Sequence, residues 1–443
     1  RGKSPGRDRV LMHSCPALVI SGIASGQGKT TITAALARHH RNQGLHVRVF
    51  KTGPDYLDPK ILAIASGNPV EQLDLWMAGS QYCAEQLYLA AKDADIILVE
   101  GAMGVLDGDP SSADLAKLFN IPVAVVVHAR GMAQSIRVIA EGLLAVNDRF
   151  PLAGMICNAL GSQRHIELIE TSMPSQLPLL ACLKRDPNIS LPERHLGLVE
   201  PNKEDDLEQR LEQAALWVAE TDLAKRPKAV KFPAEQTSPP KKLLQGKTIG
   251  IAKDAAFSFI YAVNERCLQE MGATLTYFSP LNDSSLPEVD ALWLPGGYPE
   301  LHTKTLSENL NMKHALQNFQ KQQKPILAEC GGMLAIQETL TDLTTKAYPM
   351  FHLIPGHGEL RDRPGCQGMQ TAPLPEGDVR AHAHHRSRSH DTLEPIAYGK
   401  RQRHPAPGEP IVRHKNLTAS YLHLFFPSNP DAIAQLFSQQ AST

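Results

Sequence analysis

The stretch from Gly22 to Thr31 constrains the fold of this chain more than any other. It reads Gly22-Ile-Ala-Ser-Gly-Gln-Gly-Lys-Thr-Thr31, follows the apolar run Ala17-Leu-Val-Ile20, and precedes apolar residues at helical spacing. Strand, glycine-rich turn, lysine, hydroxyl and helix in this order are typical of a phosphate-binding loop. The leading glycine lies seven residues before Lys29, so the loop is one residue longer than the common pattern.

The residue types of this loop predict how it binds a nucleotide. Glycines allow backbone N–H groups to approach the phosphates, Lys29 supplies a positive charge, and Thr30 supplies a hydroxyl for Mg²⁺. The predicted ATP-binding residues are Gly26, Gln27, Gly28, Lys29, Thr30 and Thr31.

Bulk composition excludes several classes of protein. The chain has 443 residues and a net charge of −1, which suggests two or three domains and gives no reason to expect nucleic acid or a membrane as partner. No apolar run approaches the roughly 20 residues needed to span a bilayer. The seven cysteines form no Cys-x-x-Cys pair and no secretory segment is evident, so we expect a cytoplasmic protein.

Apolar runs separated by helix-length segments predict an α/β fold in the first half of the chain. Continuous apolar runs are expected of parallel strands buried on both faces, and such strands form a doubly wound sheet with helices on both sides. The predicted strands after the first cover 45–50, 95–100, 121–127, 152–157 and 177–183.

Two polar motifs directly follow predicted strands, at the sheet edge where ligands bind. Lys51, Asp55 and Asp58 occur within eight residues, a pattern that suggests metal and substrate binding, although a polar turn with a surface ion pair is the alternative. Glu100 ends another strand, where a phosphate-loop ATPase holds its second Mg²⁺ contact or orients a water. A helix-capping carboxylate is the alternative for Glu100.

Composition divides the chain into segments. We predict a disordered tail over 1–15, a synthetase domain over 16–222, and a proline- and lysine-rich linker over 223–246. A second α/β domain is expected over 247–443.

In this second half, Cys330 lies between an apolar run and a helical segment, with glycines beside it. This context is typical of a nucleophile elbow, and a helix N-terminus favours the thiolate. His423 follows a later strand-like run and is the candidate base. The backbone of Gly296, Gly297 and Gly331 could form an oxyanion hole. A complete triad is not visible, because Phe425 occupies the position that often carries the acid.

A histidine-rich run covers residues 380–390. Zinc ligation there would need a further Cys or carboxylate at suitable geometry. We favour a solvated or substrate-facing loop.

Taken together, these motifs resemble those of the cobyrinate a,c-diamide synthase family over roughly residues 16–430. The resemblance depends on several segments at once, which are Ser25–Thr31, Phe50–Pro59, Leu73–Met77, Glu100–Gly104, Pro192–Leu198, Phe278–Pro280, Leu294–Leu301, Ala328–Gly332 and Ser420–Leu424. The long phosphate loop is shared with the wider group that includes dethiobiotin synthetase, and the family also lacks the triad acid.

This resemblance implies a glutamine-dependent ligase of cobalamin biosynthesis, with a phosphate-loop domain and a class I glutamine amidotransferase-like domain. ATP would convert the a and c carboxylates of cobyrinate or hydrogenobyrinate into acyl phosphates, which ammonia from glutamine then attacks. Thr30, Asp55 and Glu100 would surround Mg²⁺, Lys51 would steady the transferring phosphoryl group, and Asp58 would help place the carboxylate. Leu57 would influence which carboxylate reacts, while Cys330 and His423 would release ammonia.

The chain departs from the family at one motif. The family usually carries Arg-Gly-His-Glu-Phe-His-Tyr-Ser where this chain has Arg380-Ala-His-Ala-His-His-Arg-Ser387, so a Glu and both aromatic residues are absent. This departure leaves the contacts of the segment open.

Alternatives follow from shared motifs. Nickel-sirohydrochlorin a,c-diamide synthase is hardly separable by sequence, and cobyric acid synthase is expected to differ around Gly53–Tyr56. A non-catalytic phosphate-loop ATPase or binding protein is a further alternative. The metal content of the corrinoid, the order of amidation and the oligomeric state, a homodimer included, stay open.

Overall fold

A computed structural model describes residues 11–191, 202–235 and 237–438, and the chain divides into two compact units, residues 1–237 and 238–443. The motif Pro192–Leu198 lies outside the described residues. Within the described ranges, no helix has the length and apolarity needed to cross a membrane.

The first unit is built on a parallel sheet in the order β3-β2-β4-β1-β5-β6-β7, with β8 added antiparallel to β1. Its strands are β1 (Met12–Gly22), β2 (Val47–Lys51), β3 (Glu71–Gln72), β4 (Ile96–Gly104), β5 (Val123–His128), β6 (Leu152–Leu160), β7 (Leu179–Lys184) and β8 (Ala229–Pro233). Its helices are α1 (Lys29–Asn42), α2 (Leu57–Ser66), α3 (Leu75–Ala78), α4 (Ser80–Asp93), α5 (Ser112–Phe119), α6 (Ile136–Ala145), α7 (Gln163–Ser172) and α8 (Asn202–Ala219).

Both faces of this sheet are covered, as the continuous apolar runs predict. Alternate residues of β1 enter two different cores: Ala17 and Val19 pack on one face, and Leu18 and Ile20 on the other. This arrangement confirms the doubly wound α/β fold.

The tail and linker predicted from composition differ from the structure at two places. Residues 12–15 belong to β1, and residues 229–233 form β8, which pairs with Met12–Pro16. Val230 and Phe232 are buried while Lys231 is exposed, so a short alternation lies within the lysine- and proline-rich segment. Five residues are too few for this two-residue period to be recognised within a segment whose composition is typical of a linker.

The second unit contains a ten-stranded sheet in the order β10-β9-β11-β12-β21-β20-β19-β16-β17-β22 and a small sheet in the order β14-β13-β15-β18. Its strands are β9 (Thr248–Ala252), β10 (Thr274–Phe278), β11 (Ala291–Leu294), β12 (Ile326–Glu329), β13 (Thr339–Thr341), β14 (Ala347–Pro349), β15 (His357–Leu360), β16 (Gly368–Leu374), β17 (Gly377–Ala383), β18 (Ser387–His390), β19 (Ala397–Arg401), β20 (Pro407–His414), β21 (Leu417–Ser420) and β22 (His423–Leu424). Its helices are α9 (Ala262–Glu270), α10 (Thr303–Glu308), α11 (Leu310–Lys321), α12 (Gly331–Ile336) and α13 (Pro430–Leu436).

Half of the large sheet is parallel, from β10 to β21, and the rest is antiparallel. β21 and β22 are neighbours in the chain but lie five positions apart in the sheet order. The antiparallel strands β20, β19, β16 and β17 lie between them in the sheet, so that β22 pairs with β17.

Candidate active sites of the two units

Close packing requires a glycine at position 28 of the phosphate loop. Gly28 has φ 95° and precedes α1, and a Cβ on it would lie 2.3 Å from Nδ2 of Asn158. Asn158 donates to the carbonyl of Gln27 at 3.0 Å, and the side chain of Gln27 accepts from the N–H of His128 at 2.7 Å. The ends of β5 and β6 therefore hold the loop against the N-terminus of α1, where an anion binds favourably.

Lys29 is the first residue of α1 and is buried. Its Nζ donates to the carbonyl of Met103, at the end of β4. Burial, followed by the charge of Lys51, lowers the pKa of Lys29 to about 8. The positive charges of Lys29 and Lys51 repel each other, and a phosphate beside both lysines would offset this repulsion. The pair therefore favours an anionic ligand.

Glu100 lies at the centre of a buried polar cluster because β4 runs between β1 and β2. Its Cα is paired in register with Ile20 on one side and Lys51 on the other. One carboxylate oxygen, Oε1, accepts from the hydroxyl of Thr30 at 2.7 Å and lies 3.5 Å from Nζ of Lys51. The sheet register thus brings three predicted site residues together.

The other oxygen of Glu100, Oε2, is buried and accepts no hydrogen bond from the part of the chain that is described. A buried carboxylate oxygen without a donor suits a cation. Mg²⁺ usually takes one or two protein carboxylates and completes its shell with water and phosphate oxygens. The oxygen atoms of Thr30 and Glu100 fit that donor set.

Asp58 extends the cluster from the first turn of α2. Its Oδ2 lies 3.9 Å from Nζ of Lys51. Burial, followed by the charges of Glu100 and Asp55, raises the pKa of Asp58 to about 7. Burial acts to lower the pKa of Lys51, but the carboxylates, Glu100 foremost, outweigh it and raise that pKa.

Asp55 and Leu57 lie at the margin of this cluster. Asp55 is exposed, and its Oδ1 accepts from the backbone N–H groups of Leu57 at 2.7 Å and Asp58 at 3.0 Å. Asp55 therefore shapes the start of α2. Leu57 is half-buried in the same turn.

In the second unit, Cys330 occupies a strained turn between β12 and α12, with φ 47° and ψ −104°. Its N–H donates to the carbonyl of Ser420 at 2.8 Å. A Cβ on Gly332 would lie 2.0 Å from the carbonyl oxygen of Leu294, so the turn has no room for a side chain there. These features are those of a nucleophile elbow.

Burial, followed by the charge of Glu300, raises the pKa of the Cys330 thiol well above its usual range. The cysteine is therefore a thiol at rest, and a nucleophilic role would require a base. Burial lowers the pKa of His423 to about 3, so its imidazole is neutral and can accept a proton.

Gly296 and Gly297 lie between the elbow residue Gly331 and His423. A Cβ on Gly296 would lie 2.4 Å from Cε1 of His423, and a Cβ on Gly331 would lie 3.0 Å from the backbone nitrogen of Gly297. The predicted oxyanion residues therefore meet in one place, with Gly296 against the imidazole and Gly297 against the elbow.

Glu329 is a structural contributor that the sequence patterns did not identify. It is buried, and its two oxygens accept from the indole N–H of Trp293 and the N–H of Leu424, each at 2.6 Å. Burial raises the pKa of Glu329 to about 7. This carboxylate ties the strand before Cys330 to the strand that carries His423. The sequence feature that could have identified Glu329 is a carboxylate at the end of an otherwise apolar strand.

The histidine-rich run is only partly a solvated loop, with His384 and Arg386 exposed, and the expectation that it faces substrate stays a prediction. It contributes to β17 and β18, and both His382 and His385 are buried. His382 stacks on His423, with ring centroids 4.8 Å apart. His385 lies 2.5 Å from a carboxylate oxygen of Glu409. Their pairing partners lie far away in sequence, so the local composition could not reveal them.

Comparisons with known proteins match both units. Residues 18–199 match the CobQ/CobB/MinD/ParA nucleotide binding domain, and residues 248–431 match the CobB/CobQ-like glutamine amidotransferase domain. The chain is 47% identical to the hydrogenobyrinate a,c-diamide synthase of Stutzerimonas stutzeri, over 96% of this chain and 99% of that protein. It is 46% identical to the protein of that name from Pseudomonas aeruginosa, over 96% of this chain and 98% of the other. The cobyrinate a,c-diamide synthase of Herminiimonas arsenicoxydans is 46% identical, over 97% of this chain and 98% of its own length.

Proposed function

The chain belongs to the family of hydrogenobyrinate and cobyrinate a,c-diamide synthases, and we propose that it amidates the a and c side-chain carboxylates of one of these corrinoids. It is an ATP-dependent carboxylate–amide ligase of cobalamin biosynthesis that takes its nitrogen from glutamine. One observation supports the assignment above all: the same chain holds a phosphate-loop cluster around Glu100 and a cysteine elbow that Gly297 and Gly296 connect to His423.

The phosphate-loop cluster suits the activation of a carboxylate. A carboxylate is a poor electrophile, and transfer of the γ-phosphoryl group of ATP converts it into an acyl phosphate. Phosphoryl transfer depends on positioning and on neutralising negative charge. Lys29 and Lys51 are buried cations that would face the phosphates, and the loop N–H groups would orient them.

A metal ion fits the same cluster. Thr30, Glu100 and Asp55 would hold Mg²⁺, with Glu100 offering the buried oxygen that accepts no hydrogen bond from the described residues. When bound, Mg²⁺ would neutralise phosphate charge and fix the geometry of the phosphate chain.

The substrate carboxylate would meet Asp58 and the turn at Leu57. Asp58 is a carboxyl whose raised pKa of about 7 lets it hold a proton near neutral pH. A protonated Asp58 can donate a hydrogen bond to the incoming carboxylate, whereas an ionised one would repel it. Leu57 would contribute an apolar contact beside the reacting side chain.

The second unit would supply ammonia. His423 takes the proton of the Cys330 thiol, and the sulfur attacks the carboxamide carbon of glutamine. The N–H groups of Gly297 and Gly331 would stabilise the developing oxyanion, with Gly296 closing the loop against His423. The proton passes to the departing ammonia, and water then hydrolyses the thioester to glutamate.

Product mass tests this assignment directly. Purified protein with Mg-ATP and glutamine is incubated in turn with hydrogenobyrinate, cobyrinate and nickel-sirohydrochlorin. We expect the diamide of hydrogenobyrinate or cobyrinate, with ATP and glutamine consumed. A diamide formed only from the nickel tetrapyrrole would contradict the corrinoid assignment, and no amide from any of them would contradict the ligase activity.

A further inference from the structure

We propose that His382 is a positioning residue that holds the imidazole of His423 in line with Cys330. The inference rests on the proposed glutaminase role of Cys330 and His423. It concerns how the base is oriented, since Phe425 occupies the position where the sequence pattern would place an acid.

The sheet places the two histidines side by side. β17 and β22 run antiparallel, and His382 and His423 are direct partners in their register. Direct cross-strand partners share one face of the sheet. The two rings are 4.8 Å apart between centroids, with an angle of 16° between their planes. Only 1% of His382 and 2% of His423 is exposed, so both flat faces are packed.

Other contacts leave the His423 ring little freedom to leave this stack. Gly296 lies against its edge, where a Cβ would be 2.4 Å from Cε1. The ring of Phe259 lies 6.1 Å away in a tilted arrangement. The next N–H, that of Leu424, is held by Glu329 at 2.6 Å. His382 thus supports the face of a ring whose edge and backbone are already fixed.

The charges around the pair support a neutral base. Burial, followed by the charges of His423 and His384, lowers the pKa of His382 well below its usual range. The pKa of His423 is lowered by burial first and then by the charges of His385 and His384. Glu329 approaches from β12, with its own pKa raised to about 7 by burial. In a serine-protease triad, an acid orients the histidine by a hydrogen bond, and here a stacked ring would fix the same two torsions.

The test compares variants that remove the ring with variants that keep it. His382→Ala deletes the stacking face, whereas His382→Phe retains a flat ring of similar size. Arg388→Ala changes an exposed residue in the same segment and is the matched control. Each variant is assayed for kcat and KM with glutamine and separately with added ammonia, and its thermal transition is recorded. Cys330→Ala serves as the reference for loss of glutamine use.

We expect His382→Ala to lower kcat with glutamine by roughly 10- to 100-fold, as misplacement of a catalytic group does. KM for glutamine and the ammonia-dependent rate should be unchanged, and His382→Phe should recover to within roughly threefold of the parent. Three results would overturn the proposal. The alanine variant could keep the wild-type kcat, or it could lose activity through a higher KM instead of a lower kcat. The phenylalanine variant could also be as impaired as the alanine variant. If the alanine variant does not fold, the phenylalanine variant decides alone: recovery to within roughly threefold of the parent supports the proposal, and a larger loss of kcat overturns it. Unimpaired glutamine use by Cys330→Ala would instead refute the proposed function.

Discussion

At the scale of single residues, the proposed chemistry depends on groups whose pKa values are displaced by burial. Lys29 and Asp58 in the first unit, and Cys330 and His423 in the second, all have pKa values displaced chiefly by desolvation. Such displaced values cluster at functional sites, because binding and proton transfer need them. Their displacement also makes stability depend on pH.

Asp58→Asn should change how stability depends on pH. The folded pKa of about 7 lies above the ordinary value of 3.8, so the folded state binds the extra proton between these values. The unfolding free energy contributed by Asp58 is therefore lost as pH rises from about 4 to about 7. Relative to the parent, the variant should gain stability on the order of 3–4 kcal/mol between pH 4 and pH 8.

Chemical unfolding of the first unit at both pH values measures this gain. Asp148→Asn, at an exposed position, is the control and should follow the parent at each pH. A constant difference between the parent and Asp58→Asn across this window would contradict the assigned protonation.

Gly332→Ala should destabilise the second unit. The new methyl would lie 2.0 Å from the backbone carbonyl oxygen of Leu294, which cannot move without distorting β11. We expect a loss of about 2–3 kcal/mol, typical of an overpacked site. Gly142→Ala is the control, since nothing lies within 4 Å of the new Cβ and the site is in helix α6, where alanine is favoured. A parent-like unfolding midpoint for Gly332→Ala would refute the packing described for the elbow.

At the scale of elements, the register of strands assembles each site. β4 lies between β1 and β2, so Glu100 meets both Thr30 and Lys51. In the second unit, β17 returns to pair with β22, which sets His382 against His423. Each candidate active site is therefore a consequence of strand order rather than of sequence proximity.

The short strand β8 offers a test of an element that composition concealed. Phe232→Ala should destabilise the first unit by about 3–4 kcal/mol, because Phe232 is only 3% exposed and packs in the core under β1. Lys231→Ala, on the exposed face of the same strand, should change stability by less than about 0.5 kcal/mol. Equal, small effects of both substitutions on the unfolding midpoint would show that residues 229–233 act as a linker.

Sequence patterns predicted most parallel strands of the first unit to within a few residues, for a physical reason. A strand buried on both faces is a continuous apolar run, and Val123–His128 is an example. The antiparallel strands from β16 to β20 alternate buried and exposed residues and contain His, Arg and Pro, so their signal is weak. The phosphate loop and elbow were visible because strand, glycines and helix are contiguous, whereas Glu329 and His382 act through partners distant in sequence.

At the scale of the whole molecule, the chain combines two compact units with separate chemistry. The first would make an acyl phosphate, and the second would release ammonia. Neither product is the final amide, so a substitution in one unit should leave the reaction of the other unit intact. This separation distinguishes the ligase from a phosphate-loop ATPase that merely carries a second domain.

The most direct test of this separation is the rate of amide formation by Cys330→Ala with glutamine and with added ammonia, measured beside Lys29→Ala. We predict that Cys330→Ala loses glutamine-dependent amidation by at least about 10³-fold, the scale on which loss of a nucleophile acts, yet keeps the ammonia-dependent rate of the parent. Lys29→Ala should lose both, because the variant lacks the buried charge that would face the phosphates. Failure of ammonia to support a folded Cys330→Ala variant, or retained amidation by Lys29→Ala, would contradict the account.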